Sequence, residues 1–131
     1  MYCHGVQWLV GAARILAEQA SARGEDELSR QYRETAWRLW DKIAPISHTT
    51  PENIETYGGQ PNKQAADFLT SFDPGRMIWH GYTGAAGWML RQAMEGVLGL
   101  SLGNGQLHFP ADWKSSRGPL IPVNVKGWAH G

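Results

Sequence analysis

The first third of the chain places apolar residues with the period of an α-helix. They recur three or four positions apart over 6–20, and Gly24 follows as a helix-ending residue. A second stripe, 28–43, begins after three consecutive acidic residues, which suit a first helical turn, and it ends before Pro45. The pattern predicts a first helix over about 6–22 and a second helix that returns antiparallel to it.

The middle of the chain lacks a lasting period. Prolines and glycines punctuate 45–61, which predicts a long loop, and loops of this length within compact domains usually carry function. A short helix is predicted over 62–72, followed by a turn at Asp73-Pro74-Gly75 and an irregular stretch over 76–84.

The last helical pattern is apolar at most positions. It predicts a helix over 85–100 that is buried on most sides. Asn104-Gly105 between two short apolar runs predicts a β-hairpin, and 120–125 is consistent with one more short strand.

Composition and charge exclude several classes of protein. The 131 residues suffice for one domain or part of one, and 12 basic residues balance 12 acidic residues. Because neither sign forms a run longer than three residues, nucleic acid and an anionic membrane are not expected as partners. A single cysteine, Cys3, excludes an internal disulfide framework and favours a reducing, cytoplasmic compartment. The sequence shows no membrane-spanning stretch and no signal-peptide pattern.

The clearest candidate for chemistry is the segment that opens the last helix, Tyr82-Thr83-Gly84. Unpaired backbone N–H groups, small residues and the Thr83 hydroxyl suit an oxyanion there. The alternative is that Thr83 is only the N-cap and that the glycines only permit close packing. His4, just before the first helix, is likewise structural or functional, and no histidine pair has metal-ligand spacing, so no metal is expected. The carboxylates show no recognisable catalytic pair.

Several segments, taken in order, resemble the C-terminal part of glycoside hydrolase family 94, the inverting glycoside phosphorylases. The family includes cellobiose and β-1,2-oligoglucan phosphorylases and the phosphorylase-like end of cyclic β-1,2-glucan synthases. The resemblance implies that 1–100 form the closing helices of an (α/α)6 barrel and that 101–131 begin a β-rich extension. The matching segments are His4-Gly5-Val6-Gln7-Trp8, Glu55-Thr56-Tyr57, Gln60-Pro61, Ala65-Ala66-Asp67, Gly75-Arg76, Trp79, 82–89 and 95–99.

The resemblance also implies roles for single residues. His4, Thr83 and Gly84 match phosphate-binding positions, and three further residues match the substrate pocket: Glu55, Gln60 and Trp79. The sequence differs from the family's motifs at two places: Gln60-Pro61 stands where the family more often has Glu-Pro, and Gly81 replaces a tryptophan. These differences leave the linkage of the sugar substrate open, and a β-1,2-glucan is weakly favoured.

Enzymes of this family cleave a β-glucosidic bond with inorganic phosphate and invert the anomeric carbon, which gives α-glucose 1-phosphate. The resemblance therefore implies a glycosyltransferase that uses phosphate as co-substrate and needs no cofactor. Its expected partner is a β-linked gluco-oligosaccharide, and the complete enzyme is compatible with a homodimer. The family's general-acid aspartate and phosphate-binding arginine match nothing here, so the chain is expected to be inactive alone.

Two other readings remain open on the sequence. One is a non-catalytic helical carbohydrate-binding or interaction module. The other is a hydrolase on a similar helical barrel, which would need a carboxylate base that phosphate makes unnecessary. The reading frame upstream of the chain separates the phosphorylase from the module. The phosphorylase predicts an in-frame segment that carries the aspartate, whereas a clear start after an unrelated gene would favour the module.

Overall fold

The predicted helical hairpin is present. The computed structural model describes residues 1–97 and 100–108, and it opens with α1 (Cys3–Ala22) and α2 (Asp26–Asp41). The chain reverses between them at Gly24, whose φ of 74° lies in the left-handed region that favours glycine. Helix α1 begins three residues earlier than the apolar period predicts.

Small side chains hold the hairpin together. Ala13, Ala17 and Ala20 are buried along one face of α1, which lets α2 approach closely. At this contact the hydroxyl of Ser29 in α2 donates a 2.8 Å hydrogen bond to the carbonyl oxygen of Ala17. Because both groups are buried, this bond also fixes the register between the helices.

The predicted long loop contains two single helical turns, α3 (Pro45–His48) and α4 (Ile54–Tyr57). Gly58 follows α4 with a φ of 67° and ends it. The loop is therefore ordered by local turns, although no regular period runs through it.

The prediction of a helix over 62–72 is wrong. Residues there form strand β1 (Ala65–Phe68), which pairs antiparallel with β2 (Met77–His80), so the predicted irregular stretch also contains a strand. The turn predicted at 73–75 is confirmed, and it joins the two strands. Pairing between residues distant in sequence decides this region, and it overrides the helical preference of the alanines.

The last helix begins two residues earlier than predicted. It consists of α5 (Thr83–Gln92), followed by one π-helical turn (Ala93–Val97). Among the described residues, α5 is not buried on most sides: its buried residues are Ala85 and Gln92, whereas Leu90 is 62% exposed. The predicted hairpin at Asn104-Gly105 is confirmed by β3 (Ser101–Gly103) and β4 (Gln106–His108). The strand predicted over 120–125 lies outside the described residues.

The hydrophobic core lies where the start of α1 meets the loop and the first sheet. Burial raises the pKa of the Cys3 thiol to about 11 and that of the Tyr57 phenol to about 12, because a charged form would lose its hydration there. This core fixes the position of the first turn of α1. Its buried members are Cys3, Ile43, Tyr57, Ala65, Phe68 and Met77.

The described residues are thus mainly helical, with two small antiparallel sheets. The (α/α)6 arrangement and the boundary between 1–100 and 101–131 stay predictions. None of the described helices combines the length and the apolar character needed to cross a membrane.

Candidate functional site

Two of the residues matched to phosphate binding, His4 and Gly84, touch each other. A Cβ atom on Gly84 would lie 3.1 Å from Cε1 of His4 and 3.3 Å from its Nδ1. The imidazole therefore packs against the backbone of the first turn of α5. A side chain at position 84 would have to push the ring away by a few tenths of an ångström.

Helices α1 and α5 run parallel, as their successive contacts show. About one turn further along both helices than the contact of His4 with Gly84, the amide nitrogen Nε2 of Gln7 lies 3.4 Å from Sδ of Met89. Nε2 of Gln92 then donates to the carbonyl oxygen of Gln7, also at 3.4 Å. Both helices consequently begin at the same end of the pair, so the positive ends of their dipoles converge near His4.

The start of α5 offers backbone donors. Its N-cap is Tyr82, and the first helical hydrogen bond is donated by Ala86 to the Tyr82 carbonyl oxygen at 3.0 Å. The N–H groups of Thr83, Gly84 and Ala85 precede that bond, and no side chain caps the helix. The alternative in which Thr83 is the N-cap is therefore wrong: it is the first helical residue, exposed to solvent.

Three aromatic rings surround His4. The centroid of the imidazole lies 5.1 Å from that of Trp8, 6.0 Å from Tyr2 and 6.1 Å from Tyr82. Its Nε2 atom is buried and has no hydrogen-bond partner among the described residues. A hydrogen bond between the two phenols raises the pKa of Tyr2 above its ordinary value. Nε2 of His4 is thus an unsatisfied polar atom inside this aromatic enclosure.

Sequence reasoning gave these aromatic residues no role of their own. The available signal was their proximity along the chain to the matched residues. Tyr2 and Trp8 flank His4, and Tyr82 precedes Thr83. Their convergence depends on the parallel packing of α1 and α5, which local patterns do not report.

The residues matched to the substrate pocket lie on the loop and the first sheet. Glu55 belongs to α4, where its backbone carbonyl accepts a 3.0 Å hydrogen bond from Nη1 of Arg76. Gln60 is exposed after the loop glycines, and Trp79 is 72% exposed on β2. No hydrogen bond or ring contact within the described residues joins the three predicted side chains to His4 or Gly84. Their role in a pocket stays a prediction.

A comparison with known proteins bears on this site. Over 98% of its length the chain is 32% identical to part of cyclic beta-(1,2)-glucan synthase NdvB of Rhizobium meliloti (strain 1021). The chain spans 4% of the length of that protein. No protein-family model matches the chain, and no solved structure matches it. The chain is related to a glucan synthase.

The carboxylate of Glu95 is already engaged in ion pairs. Glu95, in the π-helical turn, forms ion pairs with Arg14 of α1 and with Arg91, the latter at 2.8 Å. It therefore joins the helices rather than presenting a free acid. Within 1–97 and 100–108, no group of three or more His, Cys, Asp or Glu residues could hold a metal ion.

Proposed function

We propose that this chain is part of a glycoside phosphorylase and that His4, Thr83 and Gly84 hold its phosphate. The observation that carries the proposal is the contact of His4 with Gly84 where two parallel helices begin. Residues that the resemblance assigns to one ligand lie at opposite ends of the helical part of the sequence, yet two of them touch.

The chemistry of the helix start suits phosphate. Backbone N–H groups of the first turn of α5, the Thr83 hydroxyl and a ring nitrogen of His4 are donors for oxyanions. The two helix dipoles add positive potential at the same place. A phosphate held by several groups is fixed in orientation, which favours in-line attack on an anomeric carbon.

The proposed reaction is phosphorolysis with inversion. A phosphate oxygen bonds to the anomeric carbon of the terminal glucosyl unit as the bond from that carbon to the glycosidic oxygen breaks. The leaving oxygen takes a proton from an aspartic acid elsewhere in the complete enzyme. The products are α-glucose 1-phosphate and a glucan shortened by one unit. Since phosphate replaces the activated water of an inverting hydrolase, no carboxylate base is required.

The proposed substrate is a β-linked glucan. The name of the related protein supports a β-1,2 linkage, and Glu55, Gln60 and Trp79 are proposed to contact the sugar. Trp79 offers a broad exposed ring, which suits the apolar face of a glucosyl unit. The reaction class is that of a glycosyltransferase, with inorganic phosphate as the co-substrate and no cofactor.

Phosphate binding to the isolated chain tests the proposal directly. Inorganic phosphate, titrated while amide resonances are followed by NMR, should shift the N–H signals of Thr83 and Gly84. His4→Ala should raise the phosphate Kd about tenfold, the effect of losing one charge-assisted contact. His80→Ala is the matched control, because His80 is exposed on β2. Equal affinity in wild type and His4→Ala would contradict the proposed site.

Activity provides the second arm. The chain incubated with phosphate and β-1,2-glucan should release no glucose 1-phosphate, whereas the complete enzyme should release it. In the complete enzyme, Thr83→Ala should raise the KM for phosphate more than the KM for glucan. An equal loss for both substrates would mean that Thr83 only supports the fold. Sugar binding without any phosphate binding would favour the non-catalytic carbohydrate-binding module.

A further inference from the structure

A concave surface lies between α2 and the loop that follows it. It is an open groove of about 650 Å³, within the range of about 300–1,000 Å³ that small-molecule sites occupy. None of its lining residues belongs to the proposed phosphate site. They are Glu34, Trp37, Arg38, Asp41, Lys42, Ser47, His48 and Asn53.

One wall of the groove is a single face of α2. Glu34, Trp37, Arg38 and Asp41 are spaced three, four and seven residues along the helix, which places them in one stripe. The indole of Trp37 packs edge-on against Trp40, with 5.8 Å between ring centroids. The helix thus presents a supported aromatic ring between charged side chains.

The other wall is fixed to the hydrophobic core. Nε2 of His48 lies 3.0 Å from the carbonyl oxygen of Lys42. The imidazole stacks on Tyr57 at 5.4 Å and meets Phe68 edge-on at 5.1 Å, both of which belong to the core. This wall is therefore set by folding and does not require a ligand to order it.

The chemistry of the lining favours a neutral polar ligand. The lining includes two carboxylates, Glu34 and Asp41, and two cationic side chains, Arg38 and Lys42, so the groove carries no net charge that would select an ion. Hydroxyl, amide and imidazole groups add donors and acceptors around the apolar indole. A sugar chain matches this combination, because each unit has hydroxyl groups at its edge and a C–H face that packs on an aromatic ring.

We propose that this groove binds a segment of neutral β-glucan, apart from the site of phosphate attack. The identity of the sugar rests on the proposed function. The neutral charge of the ligand and its contact with an aromatic ring are inferred from the residues that line the groove. An open groove lets a long chain extend beyond both ends. It would therefore hold a polymeric substrate near the enzyme between reaction cycles.

A linear β-1,2-linked glucan oligosaccharide, titrated into the chain by calorimetry, tests this groove. Trp37→Ala should raise its Kd at least about tenfold. Phe72→Ala is the matched control, since Phe72 is 71% exposed and lies outside the groove. This variant should bind the oligosaccharide with the Kd of the wild type. Asn53→Ala, in the exposed loop, should weaken binding less and guards against a folding defect in Trp37→Ala.

The two proposals fail separately. Trp37→Ala should leave the Kd for inorganic phosphate unchanged, and His4→Ala should leave the Kd for the oligosaccharide unchanged. Wild-type affinity for the oligosaccharide in both Trp37→Ala and Asn53→Ala would overturn the groove. Oligosaccharide binding that depends on Trp37, together with no phosphate binding, would overturn the proposed function and keep the groove.

Discussion

The two ends of the α1–α5 pair differ in how their polar groups are satisfied. At the far end, Glu95 accepts hydrogen bonds from Arg14 and Arg91. Arg14 also pairs with Glu18, so each charge has a partner, although Nε of Arg14 is buried without a hydrogen bond among the described residues. At the near end, the first N–H groups of α5 precede its hydrogen-bond ladder, and Nε2 of His4 is buried without a partner among the described residues. One helix pair thus carries a closed network, in which the charges are paired with one another, and an open set of donors.

The difference separates stability from binding. A closed network contributes to the free energy of unfolding, because its charges have their partners within the chain. An open set of donors costs stability unless a ligand or water completes it, and such groups are typical of binding sites. Substitutions at the two ends should therefore change different measurements.

The largest expected effect is at the closed end. Glu95→Gln removes the negative charge between two guanidinium groups, while the side chain of Arg14 is only 20% exposed. We expect the free energy of unfolding to fall by about 2 kcal/mol, as for the loss of hydrogen bonds between charged groups. Urea unfolding measures this change, and the phosphate Kd should stay at its wild-type value.

Glu18→Gln is the control for that substitution. Glu18 also pairs with Arg14, but its side chain is 62% exposed and the pair lies within one helix. Its loss should cost less than about 0.5 kcal/mol. Similar losses in the two variants would show that the closed network is no more than a set of surface ion pairs.

The sequence predicted helices far better than it predicted contacts. The period of α1 and α2 is local, so it was visible together with Gly24 as the turn between them. The pairing of Ala65 with His80 is not local, and the predicted helix over 62–72 failed for that reason. Helix propensity describes each residue by itself, whereas a four-residue strand depends on its partner.

The candidate site shows the same limit. A helix start just after Tyr82-Thr83-Gly84 and the oxyanion chemistry that it permits were predicted from residue types, and the resemblance gave His4 a role in the same site. The aromatic enclosure of His4 and the pairing of Arg14 with Glu95 were not predicted, because both require the parallel packing of α1 and α5. Neither pattern leaves a period in the sequence.

An intermediate effect is expected at the open end. Gly84→Ala adds a methyl group 3.1 Å from Cε1 of His4, which displaces the imidazole from the start of α5. We expect the phosphate Kd to rise about tenfold, equivalent to about 1.4 kcal/mol of binding free energy. The free energy of unfolding should change little, because alanine favours the helix while the tight contact opposes it.

Gly87→Ala is the matched control one turn further along α5. A Cβ atom there meets nothing within 4 Å, so the phosphate Kd should not change. The helix itself should gain about 0.5–1 kcal/mol of stability, since glycine is unfavourable within helices. If Gly87→Ala raised the phosphate Kd as much as Gly84→Ala, displacement of the His4 imidazole could not be the cause of the weaker binding.

The smallest effect concerns the phenols that join the two helix starts. The hydrogen bond with Tyr82 raises the pKa of Tyr2, so the folded protein keeps this proton at a pH where the unfolded chain has begun to lose it. The stability that this bond contributes is complete below the ordinary tyrosine pKa of 10.0 and declines as the pH rises above it. Tyr82→Phe should return the Tyr2 pKa towards 10.0, as followed by ¹³C NMR of the tyrosine rings, while Tyr32→Phe on α2 should not. An unchanged Tyr2 pKa in Tyr82→Phe would mean that the open end is held by ring packing around His4 alone.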